Sequence, residues 1–131
     1  MTGHRPRRPG PAEGAGQGPA ILVAAVGTLA EADQAIACGA DMIDAGGLTG
    51  QDLAALRARH PGARLWAGAP AAADADQAGP VAAVVATASV LAWLGTAAIR
   101  TRHVLQVRRA IDMTGTIAGT RLPALTIRGL A

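Results

Sequence analysis

Residues 20–44 read AILVAAVGTLAEADQAIACGADMID, and this stretch decides the fold class. Its first seven residues are continuously apolar, which is typical of a strand buried on both faces of a parallel sheet. Thr28 and Glu31 have the spacing of a helix capping box, and Gly39 is placed to end that helix. A second short strand then ends at Asp44. The stretch therefore predicts a strand–helix–strand unit.

Strands and helices continue to alternate along the chain. Thr49 and Asp52 repeat the capping spacing before a second helix, which we expect to stop at His60. We therefore expect the α/β class, with about four βα units forming a small open parallel sheet or a partial (β/α) barrel. The further elements expected are strands at 63–67 and 96–101 and helices at 81–94 and 104–117.

Two details of side-chain placement are also expected. Residues 68–79 are expected to be weakly structured, and a short helix at 71–78 that exposes Asp74 and Asp76 is the alternative. Arg108 and Arg109 are expected on the outer face of the last helix, opposite its apolar positions.

The chain ends differ in composition from the middle. Residues 1–19 are rich in Gly, Pro and Arg, which predicts a disordered arm without a secretory signal. Residues 20–117 are expected to form the single α/β domain. Residues 118–131 are expected to be a tail, in which LTIRG at 125–129 could add a short strand.

The composition excludes several kinds of chemistry. The chain has no Lys, Asn, Phe or Tyr and one serine, so all twelve basic residues are arginines. A lysine Schiff base, a phosphate-loop lysine and a serine triad are therefore excluded or disfavoured. Cys38 is the sole cysteine, so neither an internal disulfide nor a cysteine-rich zinc site is expected. An alanine-rich core predicts modest stability or help from self-association.

Charge and hydropathy bear on partners and location. The net charge is +3. Residues 100–131 contain six arginines and a single acid, which favours a small anionic ligand or a solvated basic face. No nucleic-acid partner is expected, because Phe and Tyr platforms are missing. Residues 81–99 are uncharged and allow a single membrane span as a further alternative. Gly95-Thr96 reads better as a helix stop, so a cytoplasmic protein is expected.

Two stretches resemble dihydropteroate synthase, a pterin-binding barrel enzyme of folate biosynthesis. Residues 35–47, AIACGADMIDAGG, are similar to the helix-to-strand step that usually reads GADIIDVGGESTRPG in that family. Residues 85–104, VATASVLAWLGTAAIRTRHV, are similar to the final helix, last strand and RVHDV loop. The resemblance covers a third to half of the chain. It implies condensation of para-aminobenzoate with a pterin pyrophosphate, with Mg²⁺ assisting the leaving group if activity is retained.

The resemblance also implies site residues. Asp44 matches the acid that lies on the pterin side, and Arg100 matches the arginine that binds a phosphate-like anion. Arg102 stands where the motif has histidine, and His103 stands where it has aspartate. A solvated or capping role is the alternative for each of these four substrate-binding candidates. Asp41, His60 and Cys38 are expected to be structural, and no metal ligand is assigned.

Departures from the family argue against full activity. The loop ESTRPG is replaced by Leu48-Thr49-Gly50-Gln51-Asp52, and the family's Asn-containing loop and late lysine have no counterpart. We therefore expect a synthase-like protein that is impaired or inactive. The alternative is a non-catalytic homologue that binds an anion or associates with itself or with a full-length synthase.

Overall fold

A computed structural model describes residues 19–66 and 72–119 of the chain. Two 3-10 turns, Ala45–Gly47 and Ala75–Ala78, each follow directly on a strand. The strands and helices, in chain order, are β1 (Ile21–Ala25), α1 (Leu29–Ala37), β2 (Met42–Asp44), α2 (Gly50–Arg59), β3 (Leu65–Trp66), β4 (Ala73–Asp74), α3 (Val81–Trp93), β5 (Ala98–Thr101) and α4 (Val104–Ala118).

The five strands of the described chain form one parallel sheet in the order β3-β2-β1-β5-β4. This confirms the α/β class and the open parallel sheet. The steps from β1 to β2, from β2 to β3 and from β4 to β5 all move in the same direction across the sheet. Right-handed crossovers in a single direction place the connecting helices on one face of the sheet.

The described residues 72–78 do not form the short helix suggested for 71–78, and they add a fifth strand to the sheet. Ala73 and Asp74 form a fifth strand, paired with Ile99 and Arg100 of β5. An alanine-rich segment has high helix propensity, but pairing with an inner strand of the sheet decides its conformation instead. The helix is reduced to the turn at Ala75–Ala78, and the two acids that were expected to be exposed are partly buried.

The core lies between the sheet and the helices. Leu22, Ala24, Ile43 and Ile99 occupy alternate strand positions and are almost completely buried on the helix side of the sheet. Leu56, Val84, Val107 and Ile111 reach them from α2, α3 and α4. The side chains at the intervening strand positions point to the opposite face of the sheet, and the candidate site residues are among them.

The expected helix ends are confirmed. The backbone N–H of Glu31 donates to Thr28 Oγ1 at 3.2 Å, and that of Asp52 donates to Thr49 Oγ1 at 3.1 Å. Glu31 Oε2 in turn accepts from the backbone N–H of Gly27 at 2.8 Å. These bonds satisfy amide groups that have no partner inside a helix, so α1 and α2 begin where the sequence predicts.

Arg108 does not lie on the outer face of α4, where we expected it. Its side chain is 17% exposed and lies against the loop between α1 and β2. Its Nη1 donates to Asp41 Oδ2 at 2.9 Å, and its Nε donates to Asp112 Oδ1 at 3.1 Å. Asp41 Oδ2 also accepts from the backbone N–H of Leu22 at 2.8 Å, so Arg108 links α4 to the amino-terminal edge of the sheet. Gly39 has φ +92°, and a Cβ there would lie 3.2 Å from Arg108 Cδ.

The uncharged run at residues 81–99 is not one continuous helix. It contains α3, a turn through Gly95 and the first residues of β5. Among the described helices, none has both the length and the apolar character needed to cross a membrane. Residues 1–18 of the arm expected at 1–19, and the strand expected at 125–129, lie outside the described residues.

Candidate ligand-binding site

Two acids and one arginine meet on the sheet face that lies opposite the core. Asp44 is the last residue of β2, Asp74 is the last residue of β4, and Arg100 lies in β5. In the register of the sheet, Asp74 pairs with Arg100, which pairs with Val23, while Asp44 pairs with Ala25. Because Val23 and Ala25 are two residues apart on one strand, all of these side chains share a face.

Arg100 reaches over β1 to join the two acids. Its Nε donates to Asp44 Oδ2 at 3.0 Å, and its Nη1 lies 3.4 Å from Asp74 Oδ2. The arginine side chain therefore crosses β1 above Val23 and Ala25, both of which are buried. Asp44 is 10% exposed, whereas Arg100 and Asp74 are each 34% exposed, so a ligand can approach from the side of Asp74.

The same local geometry fixes both aspartates. The other oxygen of Asp44, Oδ1, accepts from the backbone N–H of Gly46 at 3.1 Å. Oδ1 of Asp74 accepts from the backbone N–H of Asp76, also at 3.1 Å. In each case a side-chain oxygen bonds two residues ahead and starts the 3-10 turn, which leaves the second oxygen directed at Arg100.

The turn after β2 requires a glycine because another loop lies close to it. A Cβ on Gly47 would lie 2.9 Å from the backbone oxygen of Val26, which is nearer than real Cβ atoms come. Two successive glycines such as Gly46 and Gly47 can either leave room for a ligand or form a tight turn. The loop after β1 is the group that approaches Gly47, so this glycine positions Asp44 by letting the two loops touch.

Arg102 and His103 do not lie with Arg100. Arg100 and Arg102 would share a face if one strand continued through both, but β5 ends at Thr101. Arg102 is 76% exposed, and its backbone N–H donates to Asp76 Oδ2 at 2.8 Å. The backbone N–H of His103 donates to Thr101 Oγ1 at 2.9 Å, and His103 is the N-cap residue of α4.

A groove of about 380 Å³ lies between α1 and α4, and Arg102 and His103 form part of its wall. Glu31, Gln34 and Gln106 supply the other polar groups of this wall. The structure thus divides the four expected substrate-binding residues into two pairs. Asp44 and Arg100 meet on the sheet face, whereas Arg102 and His103 line the groove between the helices.

The residues expected to be structural have structural partners. His60 ends α2, and its Nε2 lies 2.8 Å from Asp33 Oδ1 on α1. Asp41 accepts hydrogen bonds from the Leu22 backbone and the Arg108 side chain. Cys38 is the C-cap residue of α1. Within residues 19–66 and 72–119, no three His, Cys, Asp or Glu side chains are grouped so that they could hold a metal ion.

Sequence reasoning missed two acids of this edge, Asp74 and Asp76. Asp76 accepts from Thr101 Oγ1 and from the backbone of Arg102, so it connects the turn after β4 to the end of β5. A repeated three-residue pattern could have indicated these turns: an aspartate, an alanine, and a third residue whose backbone N–H donates to the aspartate. Asp44-Ala45-Gly46 and Asp74-Ala75-Asp76 both follow this pattern.

No protein-family model, no curated protein and no solved structure matches the chain. The geometry of the site is therefore the basis for any functional proposal, together with the two stretches that resemble dihydropteroate synthase.

Proposed function

We propose that the protein is a divergent relative of dihydropteroate synthase that binds a pterin-like heterocycle and has lost most or all of the synthase activity. The observation that carries this proposal is the position of Asp44. Its carboxylate ends β2 at the carboxyl edge of a parallel sheet, where α/β proteins bind their ligands. It is fixed by the Gly46 backbone and lies beside Arg100, the second residue that the resemblance selects.

The order of the strands supports the proposal. A closed barrel of consecutive strands brings the last strand next to the first and the penultimate strand beyond it. The order β3-β2-β1-β5-β4 is what remains when strands in the middle of such a barrel are omitted. In that comparison β4 and β5 take the places of the final two strands, and Arg100 lies on the strand to which the resemblance assigns it.

A carboxylate at this position suits a pterin. The aminopyrimidinone part of a pterin presents neighbouring N–H groups, and a carboxylate accepts two such hydrogen bonds with matching geometry. In the proposed complex each carboxylate oxygen of Asp44 accepts one of these bonds, Oδ1 also keeps its bond from the Gly46 backbone, and Arg100 adjusts toward Asp74. The carboxylate is 10% exposed, so the bonds form in a site largely shielded from water, which strengthens them.

Loss of turnover follows from what the chain lacks. The sequence contains no lysine and no asparagine, two residue types that the resemblance places around the substrates. The described residues contain no group of three His, Cys, Asp or Glu side chains that could hold a metal ion. Asp44 and Asp74 face a guanidinium, so a metal ion would have to displace a cation already held there. We derive no catalytic step through a metal ion for this chain.

A binding experiment tests the proposal. Purified full-length protein is titrated into 6-hydroxymethylpterin, and quenching of pterin fluorescence is followed. We expect saturable binding that weakens at least tenfold in Asp44→Asn, because the amide replaces one of the two acceptor oxygens by an NH2 donor that faces a donor of the pterin (a loss of about 1.4 kcal/mol or more). Asp52→Asn is the matched control, since this acid lies on α2 and should leave the affinity unchanged.

Two outcomes would contradict the proposal. Wild-type protein that does not bind the pterin would exclude the ligand class, and equal affinities for Asp44→Asn and wild type would exclude the site. Circular dichroism shows whether the variants are folded. A separate assay with para-aminobenzoate, the pterin pyrophosphate and Mg²⁺ should yield no pteroate, and steady turnover would show that the synthase activity is retained.

A second candidate function is association with another copy of the chain. The large apolar side chains that are exposed in the described residues all lie on α3 and α4 or directly after α3; they are Val81, Val90, Leu94, Leu105, Met113 and Ile117. α3 follows β4, an edge strand, so the helix layer ends there as well. Exposed apolar surface at such an edge favours self-association.

Light scattering during gel filtration tests this second candidate. We expect a concentration-dependent dimer, and Ile117→Glu should shift it toward monomer while the circular dichroism spectrum is preserved, because Ile117 is 71% exposed. A wild-type protein that stays monomeric at the highest concentration would exclude self-association. Mixing with a complete synthase then tests the other partner that the resemblance suggests.

A further inference from the structure

Arg100 is the residue to which the resemblance assigns an anion, yet its guanidinium already lies between two carboxylates. The contact of Nε with Asp44 Oδ2 is 3.0 Å, and the contact of Nη1 with Asp74 Oδ2 is 3.4 Å. Asp74 has no counterpart in the stretches that resemble the family. Its position on β4, beside Arg100 in the sheet register, makes it a group that any ligand of Arg100 must meet.

The carboxylates are fixed and the guanidinium is the adjustable part. Both acids are bonded through Oδ1 to a backbone N–H two residues ahead, at 3.1 Å in each case. The longer and more exposed of the two contacts of Arg100 is the one with Asp74. An incoming anion would therefore compete with Asp74 first, and it would remain next to the negative charge that it displaced.

We propose that Asp74 sets the charge specificity of this site: it excludes phosphate and pyrophosphate from Arg100 and leaves the site selective for neutral or cationic heterocycles that carry N–H donors. This inference rests on the ligand site proposed above and names its substrate class more closely. With Asp74 in place, the two fixed carboxylates act as hydrogen-bond acceptors, and Arg100 is not an anion receptor. The inference also gives a physical reason for lost synthase activity, since a pyrophosphate ester would be repelled at the group expected to bind it.

Substitution of Asp74 by uncharged residues tests the inference. Asp74→Asn retains an oxygen that can accept from the Asp76 backbone, and Asp74→Ser does the same with a smaller side chain, so the turn after β4 is kept in both. Binding of inorganic pyrophosphate is measured by titration calorimetry at low and fixed ionic strength. A unit charge removed within a few ångströms of a multiply charged anion should tighten binding by about tenfold or more.

Two controls separate a local effect from a general one. Asp52→Asn makes the same change in net charge on α2, and it should leave pyrophosphate affinity within about twofold of wild type. The double variant Asp74→Asn with Arg100→Gln should lose the gain, because the released arginine is the group that binds the anion. Circular dichroism of each variant confirms that it is folded.

The inference is overturned if neither Asp74 variant binds pyrophosphate more tightly than Asp52→Asn does. It is also overturned if the gain persists in the double variant, because the anion would then lie elsewhere. The readout does not involve a pterin. Failure of the wild-type protein to bind 6-hydroxymethylpterin would refute the proposed function while leaving the effect of Asp74 on anions intact, so the two proposals fail independently.

Discussion

Arg108→Ala should destabilise the fold more than Arg109→Ala, the same change at the other arginine of α4. The guanidinium of Arg108 contacts Asp41, Asp112 and the backbone oxygen of Gly39, at 2.9, 3.0 and 3.3 Å. These contacts connect α4 to the loop that starts β2. Because Asp41 also accepts from a backbone N–H of β1, loss of the arginine loosens the amino-terminal edge of two adjacent strands.

The size of the effect follows from the burial of the partners. Hydrogen bonds to charged groups contribute about 1.5–3 kcal/mol, whereas fully exposed ion pairs contribute about 0–1 kcal/mol. The Arg108 side chain is 17% exposed, Asp112 is 25% exposed and Asp41 is 42% exposed, which places the interaction between these limits. We expect a loss of about 2 kcal/mol in the free energy of unfolding, and a midpoint lowered by roughly 10 °C for a domain of about 100 residues.

Arg109→Ala is the matched control for this experiment. Arg109 is the next residue of the same helix and is exposed, and it has no ion pair within the described part of the chain. Both substitutions change helix propensity equally, so the difference between them isolates the contacts of Arg108. Thermal and urea unfolding are followed by circular dichroism. Midpoints that agree within about 2 °C for the two variants would refute the reasoning, because contacts of the kind described shift the midpoint by more than this.

Two further predictions concern other polar contacts. Thr101→Val should lower the free energy of unfolding by about 1–3 kcal/mol, because it removes the buried hydroxyl that donates to Asp76 and accepts from His103. Thr101→Ser should retain most of the stability in urea unfolding, and equal losses would contradict this account. The hydrogen bond from His60 holds the pKa of Asp33 below its ordinary value of 3.8, so its stabilising effect is present above that value and is lost as the pH falls through the lowered pKa. His60→Ala should raise the pKa of Asp33 toward 3.8 in an NMR titration, and an unchanged pKa would contradict the assignment.

Local signals were sufficient for much of the fold. Helix α1 begins after its N-cap residue Thr28, because the side-chain oxygen of Thr28 can reach a free amide. It ends before Gly39, because only glycine readily adopts the positive φ needed there. Both requirements act within a few residues, so they can be read from the sequence. The same holds for the start of α2 at Thr49 and for β1, whose apolar run is set by burial on both faces.

The elements that were missed depend on distant partners. Ala73 and Asp74 carry no strand signal of their own, because alanine and aspartate are poor strand formers, and they become β4 through pairing with β5. The inward position of Arg108 likewise depends on Asp41, which lies 67 residues earlier in the chain. Helical periodicity places an arginine relative to its own helix, but it contains no information about an acid in another loop.

The candidate site combines both kinds of information, which explains why it was predicted only in part. An aspartate at a strand end can form a turn by accepting a hydrogen bond from the backbone N–H two residues later, and both Asp44 and Asp74 do so. The meeting of these acids at Arg100, across 56 and 26 residues, requires the strand order. The resemblance selects Arg100 for its charge, but the carboxylates around a charge decide which ligand it can accept. In our proposal the ligand class therefore depends on the arrangement of the three side chains on the sheet, and a motif that selects one of them is insufficient.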